Sequence, residues 1–310
     1  MLETVKLSKT FKEKKAVDEI NLYLGKGESV GLLGPNGAGK STTISMISSL
    51  IKPTSGDVKL DGKSTIKDPS EIRKVLGVVP QEIALYEELS AYENLKFFGK
   101  IYQVEKGKLE ERIQEMLEMV GLKDRQKHLV KTFSGGMKRR INIAAAMMHQ
   151  PKVLILDEPT VGIDPQSRNH ILQTVRKLNE EQGTTILYTS HYMEEVEHLC
   201  DRVYIMDHGK VVASGTKSEL LSILSSEDRI QVQVSRKSHE LIEKIQQIEH
   251  VRGVDETKDG IRIIVKMGRN ILSELVHAAE KEGVQITNFH MEIPSLEDVF
   301  LHLTGKTLRD

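Results

Sequence analysis

Apolar residues follow different spacings along the chain. Leu2–Leu7 and Val17–Leu24 alternate apolar and polar positions around the charged turn Lys12-Glu13-Lys14-Lys15, which predicts an antiparallel strand pair. Glu28–Leu33 ends in an unbroken apolar run, the pattern of a buried strand. The same pattern recurs at Lys74–Val79, Val153–Leu156 and Thr184–Thr189. Asp57–Gly62 reads as a short strand after the turn Lys52–Gly56. Between Ser90 and Val120 the period becomes helical. Leu109, Ile113, Met116, Leu117 and Val120 fall on one helix face, so a helical insertion is predicted between two strands of a sheet. Another helix opens at Ser134 and runs through Ile141, Ile143, Ala144, Met147 and Met148. Arg202–Met206 and Lys210–Ala213 pair around Asp207-His208-Gly209, and Ser218–Leu224 forms a short closing helix.

The register changes at Ser225-Ser226-Glu227-Asp228, which reads as a polar linker. Beyond it come a strand at Arg229–Ser235, a helix at His239–Ile248, and strands Val251–Glu256 and Ile261–Lys266 around the hairpin signal Asp259-Gly260. A helix at Asn270–Glu282 carries Ile271, Leu275, Val276 and Ala279 on one face, and a strand follows at Val284–Ile293. This β-α-β-β-α-β order is the split βαβ pattern and predicts a small separate α+β unit. Ser295-Leu296-Glu297-Asp298 reads as a capping box opening a last helix with Val299, Phe300 and Leu303.

Composition narrows the class. The chain has 310 residues, 38% hydrophobic and 29% charged, an ordinary globular balance. Its 44 Lys and Arg against 45 Asp and Glu leave a net charge of −1, which argues against a protein that works by neutralising nucleic-acid phosphates. The single cysteine, Cys200, lies near Val196, Leu199 and Val203, reads as a buried structural thiol on an apolar helix face, and suits a reducing cytoplasm. Met1–Lys6 shows no apolar signal region, and no apolar run approaches the ~18 residues of a spanning helix. A membrane role would come through a partner.

The chemistry is concentrated in a few stretches. Gly34-Pro35-Asn36-Gly37-Ala38-Gly39-Lys40-Ser41-Thr42 fits the phosphate-binding loop and stands between a predicted strand and a predicted helix. Its glycines free the backbone so that successive N–H groups converge on phosphate oxygens at a helix start. Lys40 is placed to reach the β- and γ-phosphates and Ser41 to bind Mg²⁺. Ser134-Gly135-Gly136 is a second helix start, readable either as an anion site or as a serine cap with flexible glycines. The following Lys138-Arg139-Arg140 reads as a solvated face. The strand ending in Asp157-Glu158 offers a carboxylate for Mg²⁺ at Asp157 and a group to polarise the attacking water at Glu158. His191, at another strand end, is placed for the γ-phosphate. Phe11 is either a core aromatic or a platform for a purine ring.

The ordered set of phosphate loop, Gln81, Ser134-Gly135-Gly136, Asp157-Glu158, Asp164 and His191 resembles the nucleotide-binding subunit of ABC transporters over roughly residues 1–220. Phe133 stands where that family usually has leucine, and Met137 where glutamine is common. The resemblance implies an α/β P-loop NTPase cassette over residues 1–224, with a RecA-like core, an antiparallel β subdomain and a helical subdomain at about 82–145. A C-terminal α+β accessory domain of ferredoxin-like pattern would occupy 228–310.

The resemblance also implies roles. Gly34, Pro35, Asn36, Gly37, Ala38, Gly39, Lys40, Ser41 and Thr42 would hold ATP, with Phe11 on the adenine. Ser41, Gln81 and Asp157 would attend Mg²⁺. Glu158, His191 and Lys40 would carry hydrolysis. Ser134, Gly135, Gly136 and Asp164 would act on ATP held by a second ABC subunit, identical or related, in a head-to-tail dimer. A separately encoded transmembrane permease would receive the motion, placing the chain at the cytoplasmic face of the cell membrane, with no nucleic acid as partner.

The ending Pro294-Ser295-Leu296-Glu297-Asp298-Val299-Phe300-Leu301 resembles ATPase subunits of the ABC-2 type export group, which favours export of a drug, antibiotic, lipid or other amphiphile. The alternative is a soluble ABC ATPase acting on ribosomes or DNA. Such proteins usually carry two cassettes or a long coiled-coil insertion, and neither is present here. A regulator that binds without turnover is disfavoured by intact Lys40, Asp157, Glu158 and His191.

Overall fold

The computed structural model describes residues 1–224, 227–236, 238–257, 260–266, 268–292 and 295–305. Ser225 and Ser226 of the expected linker, Asp259 of the hairpin turn, and Ile293 and Pro294 lie outside them. The chain divides into two compact units: Met1–Lys217, with the end of the chain from Leu303, and Ser218–His302.

In the first unit, a sheet runs in the order Lys210–Gly215, Arg202–Asp207, Ser29–Leu33, Thr185–Thr189, Val153–Asp157, Leu76–Val79. All neighbours are parallel except the first pair, which is an antiparallel hairpin. Ser29–Leu33, Val153–Asp157 and Thr185–Thr189 are buried at every position, as their unbroken apolar runs require. Parallel strands have one consequence for function. Their carboxyl ends share an edge, so the loops leaving those ends meet there. Gly34, Glu158, Ser190 and Pro80 are the residues next in line.

A second, antiparallel sheet joins Lys14–Ile20, Leu2–Phe11, Ser55–Leu60 and Lys63–Ser64, with Tyr23–Leu24 paired to Leu2–Phe11. Phe11 pairs with Lys14, so the first turn is only Lys12-Glu13, tighter than the four residues expected. Lys12 adopts φ 52 to close it. The insertion holds helices Ala91–Ile101 and Leu109–Met119, and Leu109, Ile113, Met116, Leu117 and Val120 are all buried.

Several expectations need correction. Lys74 and Val75 belong to the helix Pro69–Val75, and the strand starts at Leu76. The overlooked helix signal is Asp68-Pro69: the Asp68 side chain accepts from the Ser70 N–H, and proline occupies the first turn. The helix opened by Ser134 spans Gly135–Ala146 and stops before both Met147 and Met148. Cys200 is not on a helix face but caps the end of helix Met193–Leu199. Its thiol packs against the Ser29 hydroxyl, and burial pushes it up to about 12, so it is chemically quiet.

In the second unit, strands run in the order Val251–Thr257, Gly260–Lys266, Glu227–Val234, Ile286–Glu292, all antiparallel. With helices His239–Gln246 and Leu272–Lys281, this is the split βαβ arrangement. Glu227 and Asp228, expected in the linker, belong to its first strand. The helices pack Leu241, Ile245, Leu275 and Ala279 against Ile230, Val232, Ile261, Ile263 and Val265. Val276 is 40% exposed, and Ala278 takes the buried place expected for it. The final helix Leu296–Thr304 opens with the reciprocal cap: Ser295 N–H donates to Asp298, and Asp298 N–H donates to the Ser295 hydroxyl.

Candidate functional site: a phosphate-binding cleft

The loop after Ser29–Leu33 is held by close backbone approaches. A Cβ on Gly34 would lie 2.5 Å from the Met206 carbonyl oxygen. Gly39 adopts φ 104, and a Cβ there would lie 2.6 Å from the Ala16 carbonyl oxygen. Only glycine meets both demands. Helix Lys40–Ile47 starts at this loop.

Lys40 is 5% exposed, and its Nζ donates to the carbonyls of Gly34 at 2.6 Å and Pro35 at 3.3 Å. Burial lowers its pKa from the ordinary lysine range, against the pull of Glu158 and Asp157. A desolvated ammonium with neutral acceptors gains strongly from an incoming phosphate.

The acids follow Val153–Leu156. Thr189 pairs with Asp157 across the sheet, and its hydroxyl donates to Asp157 Oδ1 at 2.8 Å. The same hydroxyl accepts from the Glu158 N–H at 2.9 Å. Glu158 takes the left-handed φ of 49 and is 6% exposed. Its two oxygens have different partners. Gln81 Nε2 donates to Oε2 at 3.0 Å, and His191 Nε2 lies 2.7 Å from Oε1.

Gln81 is itself fixed from behind. Arg139 donates to the carbonyls of Pro80, at 2.6 Å, and Gln81. Arg139 is 4% exposed, so the middle of Lys138-Arg139-Arg140 is a buried clamp and not part of a solvated face.

Lys40, Gln81, Glu158 and His191 border a cleft of about 830 Å³, whereas Gly34, Pro35 and Asp157 are not among its lining residues. Phe11, Asn36, Gly37, Ala38, Gly39, Lys40, Ser41, Thr42, Gln81, Glu158 and His191 line it. Phe11 is half exposed, with the Lys9 ammonium 5.1 Å from its ring centre, so it is no core residue. Lys14, Lys15, Ala16, Val161, His208 and Gly209 also line it and were not anticipated. The cleft has the size and polarity of a nucleotide site. Among the described residues no cluster of three His, Cys, Asp or Glu stands ready for a metal. A carboxylate such as Asp157 and a hydroxyl such as Ser41 are donors of the kind Mg²⁺ takes, since it retains waters and needs few protein ligands.

Ser134, Gly135, Gly136 and Asp164 do not line this cleft. They gather separately. A Cβ on Gly136 would lie 2.2 Å from Ser167 Oγ and 3.5 Å from Asp164 Oδ2, so glycine lets the two helix starts touch. Ser134 caps one helix by accepting from the Met137 N–H at 3.3 Å. Asp164 caps Pro165–Glu180 by accepting from the Ser167 N–H at 2.9 Å, which holds its carboxyl below the usual range. Ser134, Gly135 and Asp164 are exposed, whereas Phe133 is buried.

The family model described as ABC transporter matches residues 17–161. A second, described as the C-terminal domain of DrrA1-3-like ATP-binding proteins, matches 215–304. The linearmycin resistance ATP-binding protein LnrL of Bacillus subtilis (strain 168) is 48% identical over 312 residues, covering 100% of both chains. The chain belongs to the ABC transporter ATP-binding family. The daunorubicin/doxorubicin resistance ATP-binding protein DrrA of Streptomyces peucetius is 37% identical to this ABC ATPase over 100% of its length and 94% of the relative's. Among solved structures, a dimeric ATP-binding cassette in a post-hydrolysis state, bound to ADP and Pi, is 29% identical with a TM-score of 0.64. It covers 70% of this chain and 98% of that one. The ATP-binding subunit of an ABC transporter matches at 30% identity and a TM-score of 0.66, covering 72% and 93%. As an ABC ATPase, the protein couples ATP hydrolysis to a transmembrane partner. No described helix is long and apolar enough to cross a membrane itself.

Proposed function

We propose that this ABC ATPase powers export of an antibiotic-like amphiphile through a separate permease at the cytoplasmic face of the membrane. The observation that carries the hydrolytic reading is Glu158 held between Gln81 and His191 beside the buried Lys40. The relatives named for resistance to linearmycin and daunorubicin, matched along the full chain, support the cargo class.

In this reading the loop amides and Lys40 bind the β- and γ-phosphates, and Phe11 stacks on the purine. Ser41, Asp157 and Gln81 would hold a magnesium ion, which would supply charge neutralisation at the phosphates when bound. Glu158 takes the proton of the attacking water, and His191 orients that carboxylate. Ser134, Gly135 and Gly136 reach the γ-phosphate held by a second copy, and Asp164 crosses the same interface. A homodimer is favoured because this single chain carries every part of the site.

Susceptibility tests the reading. Cells lacking this gene should become more sensitive to linearmycin or daunorubicin, and the wild-type gene with its permease should restore resistance. Glu158→Gln should not restore it. Unchanged susceptibility, together with copurification of the chain with ribosomes instead of a membrane protein, would overturn the export reading.

A further inference from the structure

Behind the cleft, on helix Met193–Leu199, Glu195 is 3% exposed and lines none of the nucleotide site. A buried carboxylate persists only if its oxygens are well supplied with donors. Oε2 accepts from Thr160 Oγ1 at 2.8 Å, Tyr188 OH at 2.9 Å and Ser190 Oγ at 2.5 Å. Arg168 Nε stands 3.5 Å from Oε1. Burial, reinforced by the charge of Glu195, keeps the Tyr188 phenol well above its ordinary pKa, so it remains a donor.

The donors come from segments that matter. Thr160 lies just beyond Glu158, in the turn where the Val161 N–H donates to the Glu158 carbonyl at 3.4 Å. Ser190 directly precedes His191, and its hydroxyl also accepts from the Tyr192 N–H at 2.9 Å, which shapes the turn carrying His191. Arg168 is on the helix capped by Asp164, and its guanidinium stacks 4.0 Å from the Tyr192 ring centre. One carboxylate thus ties together the segments bearing Glu158, His191 and Asp164.

We propose that Glu195 is a positioning residue for ATP hydrolysis, its carboxylate fixing the spacing of the turns that carry Glu158 and His191. The inference rests on the roles proposed above for those two residues. They meet at 2.7 Å, and a displacement of about 1 Å in such a constellation costs about 10²-fold in rate.

The test uses the full-length chain. Glu195→Ala should lower kcat about 10- to 100-fold while KM for ATP and the affinity for a fluorescent ATP analogue stay within about twofold, because the lost contact acts on the transition state alone. Glu195→Gln, which keeps an oxygen for the hydroxyl donors, should recover part of the rate. In a His191→Ala background the added Glu195→Ala change should cost less than about twofold, since residues acting as one unit are not additive. If Glu195→Ala does not fold, Thr160→Val and Tyr188→Phe carry the test, each lowering kcat at unchanged KM. Wild-type kcat in the folded Glu195 variants, or in both donor variants, overturns the inference, as does full multiplication of the two losses in the double variant. Glu158→Gln separates the levels. If it is inactive while Glu195→Ala is fully active, only the present inference falls. If Glu158→Gln turns over normally, the site assignment falls.

Discussion

Glu158→Gln is expected to lower kcat for ATP hydrolysis about 10²- to 10⁴-fold, the range for loss of a general base, while ATP still binds. The substitution keeps the shape of a side chain that is 6% exposed. Its carbonyl oxygen can still accept from Gln81, which now donates at 3.0 Å. What disappears is the negative charge and the proton acceptor. The phosphate loop and Lys40 are untouched, so nucleotide affinity should remain near wild type. Binding without hydrolysis should then trap the closed dimer, visible as a doubled mass by light scattering in the presence of ATP. Phosphate release at the wild-type rate would remove Glu158 from the chemistry.

Lys40→Ala should abolish the response to nucleotide without harming the empty fold. The ammonium is desolvated, and its hydrogen-bond acceptors are the carbonyls of Gly34 and Pro35. Removing it therefore relieves a burial cost in the empty protein, and the melting temperature without ATP should hold or rise. With ATP at about 100 times Kd, the wild type should gain about 2.7 kcal/mol of stability. The variant should gain almost none at the same concentration, and its kcat/KM should fall about 10²- to 10³-fold, as when a charge-stabilising donor is lost. An equal ATP-induced rise in melting temperature for both proteins would show that Lys40 does not hold the phosphates.

The parts of the site that were legible are local. Gly34–Thr42 could be read because glycine conformations and successive amides lie in one stretch. The caps at Ser134 and Asp164 bond to residues a turn away. Groups recruited from a distance were not legible. Arg139 reads as one of three solvated charges, yet the carbonyls of Pro80 and Gln81, far back in the sequence, accept its guanidinium. His208-Gly209 reads as a plain hairpin turn. It reaches the cleft because Gly209 packs where a Cβ would meet the Ala16 carbonyl oxygen at 2.8 Å and because its N–H donates to the Ala38 carbonyl at 3.0 Å. Thr189 and Glu195 gained their roles only through strand register and helix packing. The same limit governed the second unit. Helix spacing assigned Val276 to the buried face, but packing covered Ala278 instead.

The resemblance read from the sequence makes Gly34–Thr42 half of a nucleotide site, with Ser134, Gly135, Gly136 and Asp164 acting on ATP held by a second subunit. In the structure these four residues lie at separate helix starts and do not line the cleft. The central claim is that a second copy completes the site. Specific ATPase activity measured across a dilution series, with molecular mass followed during turnover, tests it most directly. The account predicts that activity per chain rises with protein concentration to a plateau, and that the active species has twice the 34.9 kDa mass of the chain. Activity per chain that is constant on dilution, from a species that stays monomeric throughout turnover, would contradict it.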